Sequence, residues 1–274
     1  MPTLILSPRY TDDSIAIRAA AIRRGWRVMR LPNWRAPEGL EVEEATVYGE
    51  PLFVAAIAEP LDLVALEPPF DFLTNLPPEY VLREVTFGEL ASARTIADPK
   101  FIKPADDKCF KARVYADPSS LPPVGDIPEW TPVLVAEPVE WELEFRAFIQ
   151  DRKIVTMSPY LRFGKLSMTD DGEWFATNDE IESATRLVES VVGDHRVDLP
   201  PGVVIDVGNI AHRGWAVVEA NPAWGSGIYG CDPDRILDIL RATIKPRTNL
   251  VMNDIRWVPK RQEDHPFKTS DDKV

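Results

Sequence analysis

The sequence is poor in the residues that mark several large protein classes. Only two cysteines occur in 274 residues, Cys109 and Cys231, and neither belongs to a CxxC pair. A disulfide framework is therefore not implied, and a reducing, cytoplasmic setting is expected. Three scattered histidines exclude a His/Cys zinc site of ordinary spacing. No apolar run approaches the ~20 residues that span a bilayer, and the short apolar stretch in MPTLILSPRYTDD has no basic segment before it, so no signal peptide is read. Basic residues are outnumbered by acidic ones, 31 to 44, for a net charge of -13. That balance argues against general nucleic-acid or anionic-membrane binding, leaving room only for a local basic cleft. GxGxxG, GxxxxGK[ST] and GxSxG are all missing, which removes the two commonest glycine-rich phosphate cradles and the nucleophile elbow. No internal repeat is present.

What remains is a chain, 45% hydrophobic, long enough to bury roughly 70–75% of its unfolded surface. Leu4–Leu6 reads as a strand. A helix follows, capped by Asp12 or Asp13, with Ile15, Ala19 and Ile22 inward and Gly25 at its end. Strands at 27–31 and 63–66 complete a parallel βαβ layer. The pairs Pro68-Pro69 and Pro77-Pro78 mark a boundary. Beyond it, Thr86 to Ala93 reads as a short helix with a Thr86/Glu89 capping box. Strands are expected at 100–103, 110–115, 132–137, 143–149, 153–160, 203–207 and 215–219, with a proline-rich loop at 117–132. Helices open at Asn178, with Ile181, Ala184, Leu187, Val188 and Val191 inward, and at Asp232-Pro233, with Ile236, Leu237, Leu240 and Ile244 inward. The tail from Lys260 is polar and expected to be a disordered or draped extension.

Chemistry-bearing residues concentrate in three segments. In Val203 to Asn221, Glu219 and Asn221 lie two apart on one strand and so share a face. If 209–214 is a hairpin turn, Asp206 comes near them, and three oxygen donors on adjacent strands suit Mg2+. Solvated polar strand ends explain the same residues. In FIKPADDK, Lys103 sits at a strand end, aimed at phosphate or merely hydrated, with Lys108 and Lys111 in the turn beyond. In Val133 to Ile149, a strand runs into Glu137-Pro138-Val139, where the proline break frees backbone groups. Glu144 and Arg146 then share a face, as site residues or as a surface ion pair. Cys109 beside Lys108 is read as incidental.

FIKP, the strand ending in Glu137-Pro138-Val139, the ExR of Glu144 and Arg146, Asp206, and the ExN of Glu219 and Asn221 occur in the order of the ATP-grasp superfamily of carboxylate–amine ligases. The spacings, seven residues from Glu137 to Glu144 and thirteen from Asp206 to Glu219, also resemble that family. SPRYTDDS, EPPFDFL, FIKPADDKCFKARVY and EANPAWGSGIYGCDP resemble a clade of small ATP-grasp proteins of RimK-like, amide-ligase type. The likeness spans about residues 3 to 245. It implies an α/β and α+β architecture: an N-terminal α/β domain at 1–78, a lid at 79–137, a catalytic subdomain at 138–257 and a polar tail at 258–274.

The resemblance also implies roles. ATP and one or two Mg2+ ions would be bound, and a small-molecule, peptide or protein carboxylate would be joined to an amine. Lys103 would meet α/β-phosphates, with Lys108 and Lys111 in the lid turn, whose ADDKCF lacks the usual glycines. Glu137, Pro138 and Val139 would meet the adenine edge and Glu144 the ribose. Arg146, with Arg162 and Lys165 nearby, would face the γ-phosphate. Asp206, Glu219 and Asn221 would hold the metal. Arg9, Tyr10 and the loop Trp224 to Tyr229 would build the acceptor region, unless Arg9 simply pairs with Asp12 or Asp13. The rival reading is a nucleotide-sensing module that binds ATP without turnover. An oligomer is compatible with either.

Overall fold

The computed structural model describes residues 1–105 and 109–259. The chain begins with strand β1 (Thr3–Leu6), helix α1 (Asp12–Arg23), β2 (Arg27–Arg30) and β3 (Ala45–Tyr48). All three strands run parallel in the order β2-β1-β3. The cap of α1 is Thr11, not Asp12 or Asp13. Its side chain accepts from Ser14 N–H at 3.1 Å and the Ser14 hydroxyl accepts from Thr11 N–H at 3.1 Å. The inward face is Ser14, Ile17, Ala20 and Ala21, while Ile15 and Ile22 are each 50% exposed. Small residues let α1 lie close on the sheet; apolar bulk alone picks the wrong stripe. Gly25 ends the helix as expected, at φ +71°. Helix α2 (Pro51–Ala58) and strand β4 (Leu63–Ala65) follow.

Helix α3 (Pro78–Val81) leads into β5 (Val85–Glu89), α4 (Leu90–Ala93), β6 (Lys100–Pro104), β7 (Arg113–Tyr115) and β8 (Pro132–Ala136). The strands form an antiparallel sheet ordered β5-β8-β6-β7. The helix expected from Thr86 is therefore replaced by a strand as far as Glu89. Pairing with β8 over five residues satisfies more backbone groups than a single extra helical turn, and propensity yields to that.

The third layer comprises β9 (Trp141–Gln150), β10 (Lys153–Arg162), β11 (Lys165–Leu166), α5 (Asn178–Gly193), β12 (Gly202–Ile210) and β13 (Gly214–Asn221). Its strands are antiparallel in the order β11-β10-β9-β12-β13. Leu143, Phe145, Ala147, Ile149, Val203, Ile205 and Val207 cover one face, against Ala184, Val188, Val191 and Val192 of α5. Ile181 lies outside that contact, 40% exposed. Helix α5 opens at Asn178 as expected, through a Thr177/Glu180 capping box.

Helix α6 (Pro233–Thr243) and β14 (Ile244–Pro246) then return to the first layer. Asp232 caps α6, accepting from Asp234 N–H at 2.9 Å. Ile236, Leu237, Ile239 and Leu240 join Leu4, Leu6, Ile17, Phe53 and Ile57 in one core, each worth about 1.5–3 kcal/mol on full burial. Strand β4 pairs antiparallel with β14 and does not extend the parallel sheet. Among the described residues no helix is long and apolar enough to cross a membrane.

Candidate functional site

Strand alternation assembles the site. Residues facing α5 are apolar, so their neighbours on β9 and β12 point to the opposite side. There Arg146 lies opposite Asp206, and Asp206 opposite Glu219. Arg146 Nε donates to Asp206 Oδ1 at 2.8 Å and Nη2 to Oδ2 at 2.6 Å. Its Nη1 donates to the Gly227 carbonyl at 3.0 Å. The guanidinium also lies 5.3 Å from the Tyr160 ring and 5.0 Å from that of Tyr229. Asn221 Nδ2 donates to Glu219 Oε1 at 2.9 Å and reaches Asp206 Oδ2 at 3.5 Å. From the other sheet, the Lys103 ammonium donates to Glu219 Oε2.

A bulge in β13 makes this convergence possible. Asp206 pairs with Glu219 but Val207 pairs with Val217, so Val218 is an extra residue. Arg83 secures the kink by donating to the carbonyls of Val217 at 2.8 Å and Val218 at 2.9 Å. Burial pulls the Arg83 guanidinium down to about 10, against the nearby carboxylates of Glu144, Glu219 and Glu137.

Between the two antiparallel sheets lies a cleft of about 280 Å3, lined by Lys103, Arg83, Pro138, Val139, Trp141, Glu144 and Glu219 among others. Glu137 borders it, but its carboxylate is bonded by Arg213 at 2.6 and 3.0 Å, which holds it down to about 2. The backbone from Glu137 to Val139 is what this segment offers the cleft. Burial raises the Glu144 carboxyl to about 7, although the Tyr160 hydroxyl donates to it at 2.7 Å. Burial likewise raises Asp206 to about 6 against the Arg146 charge. Burial would raise Glu219 too, but the Lys103 ammonium and the Asn221 amide outweigh it and hold Glu219 at about 2.

Among the described residues no three His, Cys, Asp or Glu side chains group as metal ligands. A divalent cation here needs the amide oxygen of Asn221 beside Glu219, with the fully buried Asp206 behind them. The donor chemistry fits Mg2+, since all are hard oxygens on one sheet face. Lys103 supplies the positive charge that offsets Glu219.

The remaining sequence candidates lie apart. Arg162 bonds Glu180 at 2.9 Å and lines a separate cleft near α5. Lys165 is exposed on β11, and Lys111 is exposed, its carbonyl accepting from Tyr115 at 2.7 Å. Lys108 and the polar tail lie outside the described residues. Arg9 pairs with Glu50 at 3.3 Å, not with Asp12 or Asp13. Asp13 instead approaches the acceptor loop: a Cβ added at Gly227 would stand 3.2 Å from Asp13 Oδ2 and 3.7 Å from Arg146 Nη1. Tyr48 hydroxyl donates to the Ser226 carbonyl at 2.9 Å.

Sequence reasoning missed Arg83 and Tyr160. Arg83 binds carbonyls, which leave no side-chain partner to read. Tyr160 is the extra residue of a β10 bulge, between Pro159 opposite Phe145 and Leu161 opposite Glu144. No signal in the sequence announces that irregularity.

Solved structures share this architecture. That of a RimK domain ATP-grasp protein from Sphaerobacter thermophilus superposes with a TM-score of 0.55 at 15% identity, over 87% of this chain and 99% of that one. D-cycloserine synthetase DcsG gives 0.54 at 14%, over 87% and 98%. D-alanine–D-alanine ligase from Bacillus anthracis gives 0.51 at 12%, over 89% and 97%. These likenesses establish the fold. No curated protein matches the sequence. Residues 80–239, which carry both larger antiparallel sheets and every cleft residue named above, match the model of an ATP-grasp domain family, the second family of its clade, and the chain belongs to that ATP-grasp family.

Proposed function

We propose that the protein is an ATP- and Mg2+-dependent ligase that joins a carboxylate to an amine through an acyl phosphate. The observation that carries this reading is the convergence of Lys103, Glu144, Glu219 and Asn221 on one cleft between the two antiparallel sheets. The purine lies along the Glu137–Val139 backbone, with its sugar at Glu144. Lys103 exchanges Glu219 for α/β-phosphate oxygens when the nucleotide enters. Glu219 and Asn221, backed by Asp206, hold Mg2+, which supplies charge stabilisation at the transferring phosphoryl group.

The carboxylate oxygen attacks the γ-phosphorus and ADP leaves; the amine then attacks the acyl carbon and phosphate leaves. Such transfer needs fixed charge more than covalent help from the protein. Arg146 contributes by fixing Asp206 and the Gly227 loop. Arg162 and Lys165 serve the γ-phosphate only if the hairpin carrying them moves toward the cleft. Arg9, Asp13 and the 224–229 loop border the acceptor side, where a small-molecule, peptide or protein substrate enters from the carboxyl end of the parallel sheet.

Phosphate release against a panel of carboxylates paired with amines tests the reading. A ligase releases phosphate only when a matched acid and amine are both present. ATP binding with no release under any pairing supports the nucleotide-sensing alternative, and the absence of ATP binding refutes both.

A further inference from the structure

We propose that Tyr160 is a positioning residue that makes the cleft select ribose over deoxyribose nucleotides, acting through Glu144. The inference rests on the nucleotide reading of the cleft. Tyr160 hydroxyl donates to Glu144 Oε2 at 2.7 Å, and Glu144 lines the cleft. Among the described residues Glu144 Oε1 accepts no hydrogen bond, so one acceptor is held and the other is left for a ligand donor.

The tyrosine is itself fixed. As the extra residue of the β10 bulge, its side chain is turned to the cleft side, where bulges commonly re-aim a group. Its ring stacks on Tyr229 with centroids 5.0 Å apart and planes at 29°, and Arg146 lies 5.3 Å from its centre. Glu144 is 7% exposed and Tyr160 6%. Water therefore has little room to replace a missing ligand hydroxyl. A sugar hydroxyl donates to Oε1; a sugar lacking it leaves a buried acceptor unpaired, and sites of that kind discriminate strongly. Without the Tyr160 hydroxyl the carboxyl group loses the contact that sets its orientation.

The test is titration of wild type, Tyr160→Phe, Glu144→Gln and the double variant with ATP, 2′-deoxy-ATP and 3′-deoxy-ATP in Mg2+, with thermal unfolding alongside. Wild type is expected to prefer ATP over at least one deoxy analogue by about ten- to a hundredfold, as for a hydrogen bond to a charged acceptor. Tyr160→Phe keeps the stacked ring and should reduce that preference about fivefold, leaving the analogue's own affinity nearly unchanged. Glu144→Gln should lose the preference, and the double variant should match Glu144→Gln because the hydroxyl acts through the carboxylate.

Equal weakening of all three nucleotides in Tyr160→Phe, an unchanged preference, or additive losses in the double variant would overturn the proposal. Wild type with no preference overturns it too but leaves the nucleotide reading standing. Wild type that binds none of the three overturns both.

Discussion

Removing the Arg146 guanidinium leaves the Asp206 carboxylate buried without its bidentate partner. Breaking such a pair typically costs about 3–5 kcal/mol, so Arg146→Met should lower the urea midpoint sharply. A near-neutral result would mean that Asp206 is protonated in the fold. Lys103 is different, because it stands at the cleft with its side chain 22% exposed. Lys103→Ala should weaken nucleotide binding by roughly ten- to a hundredfold in a chain that remains folded; unchanged calorimetric titration would remove Lys103 from the phosphate site. Glu144 carries a pH signature. Its folded value of about 7 lies above the ordinary 4.5, so folding favours the protonated form. That contribution is fully present below 4.5 and is lost as pH rises through about 7, a fall on the order of 3 kcal/mol. Glu144→Gln should flatten the decline in unfolding free energy between pH 5 and pH 8, and an equally steep decline would assign the titration to another group.

At the scale of elements, the returning helix α6 depends on a close approach to β12. A Cβ at Gly202 would lie 2.5 Å from Thr243 Cγ2 and 2.9 Å from Ile239 Cγ2. Gly202→Ala should therefore destabilise by about 1–3 kcal/mol through overpacking, measured by chemical denaturation; a stabilised variant would show that α6 shifts freely. The same scale separates what sequence patterns reveal from what they hide. Helices α5 and α6 were readable because their caps are local, Thr177 with Glu180 and Asp232 ahead of Pro233. Strand β5 was not, because Thr86 and Glu89 suit a helix start as well as a strand, and only β8 decides between them. The inward face of α1 was hidden for a related reason: its contact residues are Ser and Ala, which carry no hydrophobic signal.

At the scale of the molecule, the two ends of the chain share one core. α6 packs on α1 and on the parallel sheet, and β14 pairs with β4. A chain ending at Asp232 should therefore lose the cooperative unfolding of the N-terminal layer as well, visible as a lost near-UV circular dichroism transition. Survival of that transition would make the first layer an independent unit. Local pattern determined much of this protein by itself: the parallel opening layer, most strands, and the single face shared by Glu144 with Arg146 and by Glu219 with Asn221, since alternation is a property of the chain. Tertiary structure alone decided the rest. It brought Lys103 from one sheet to Glu219 of another, set Arg146 on Asp206, and used the bulges at Val218 and Tyr160 to aim neighbouring side chains. Those outcomes depend on register and on packing between distant segments, where a one-residue slip reverses every side chain, and no local stretch of sequence holds that information.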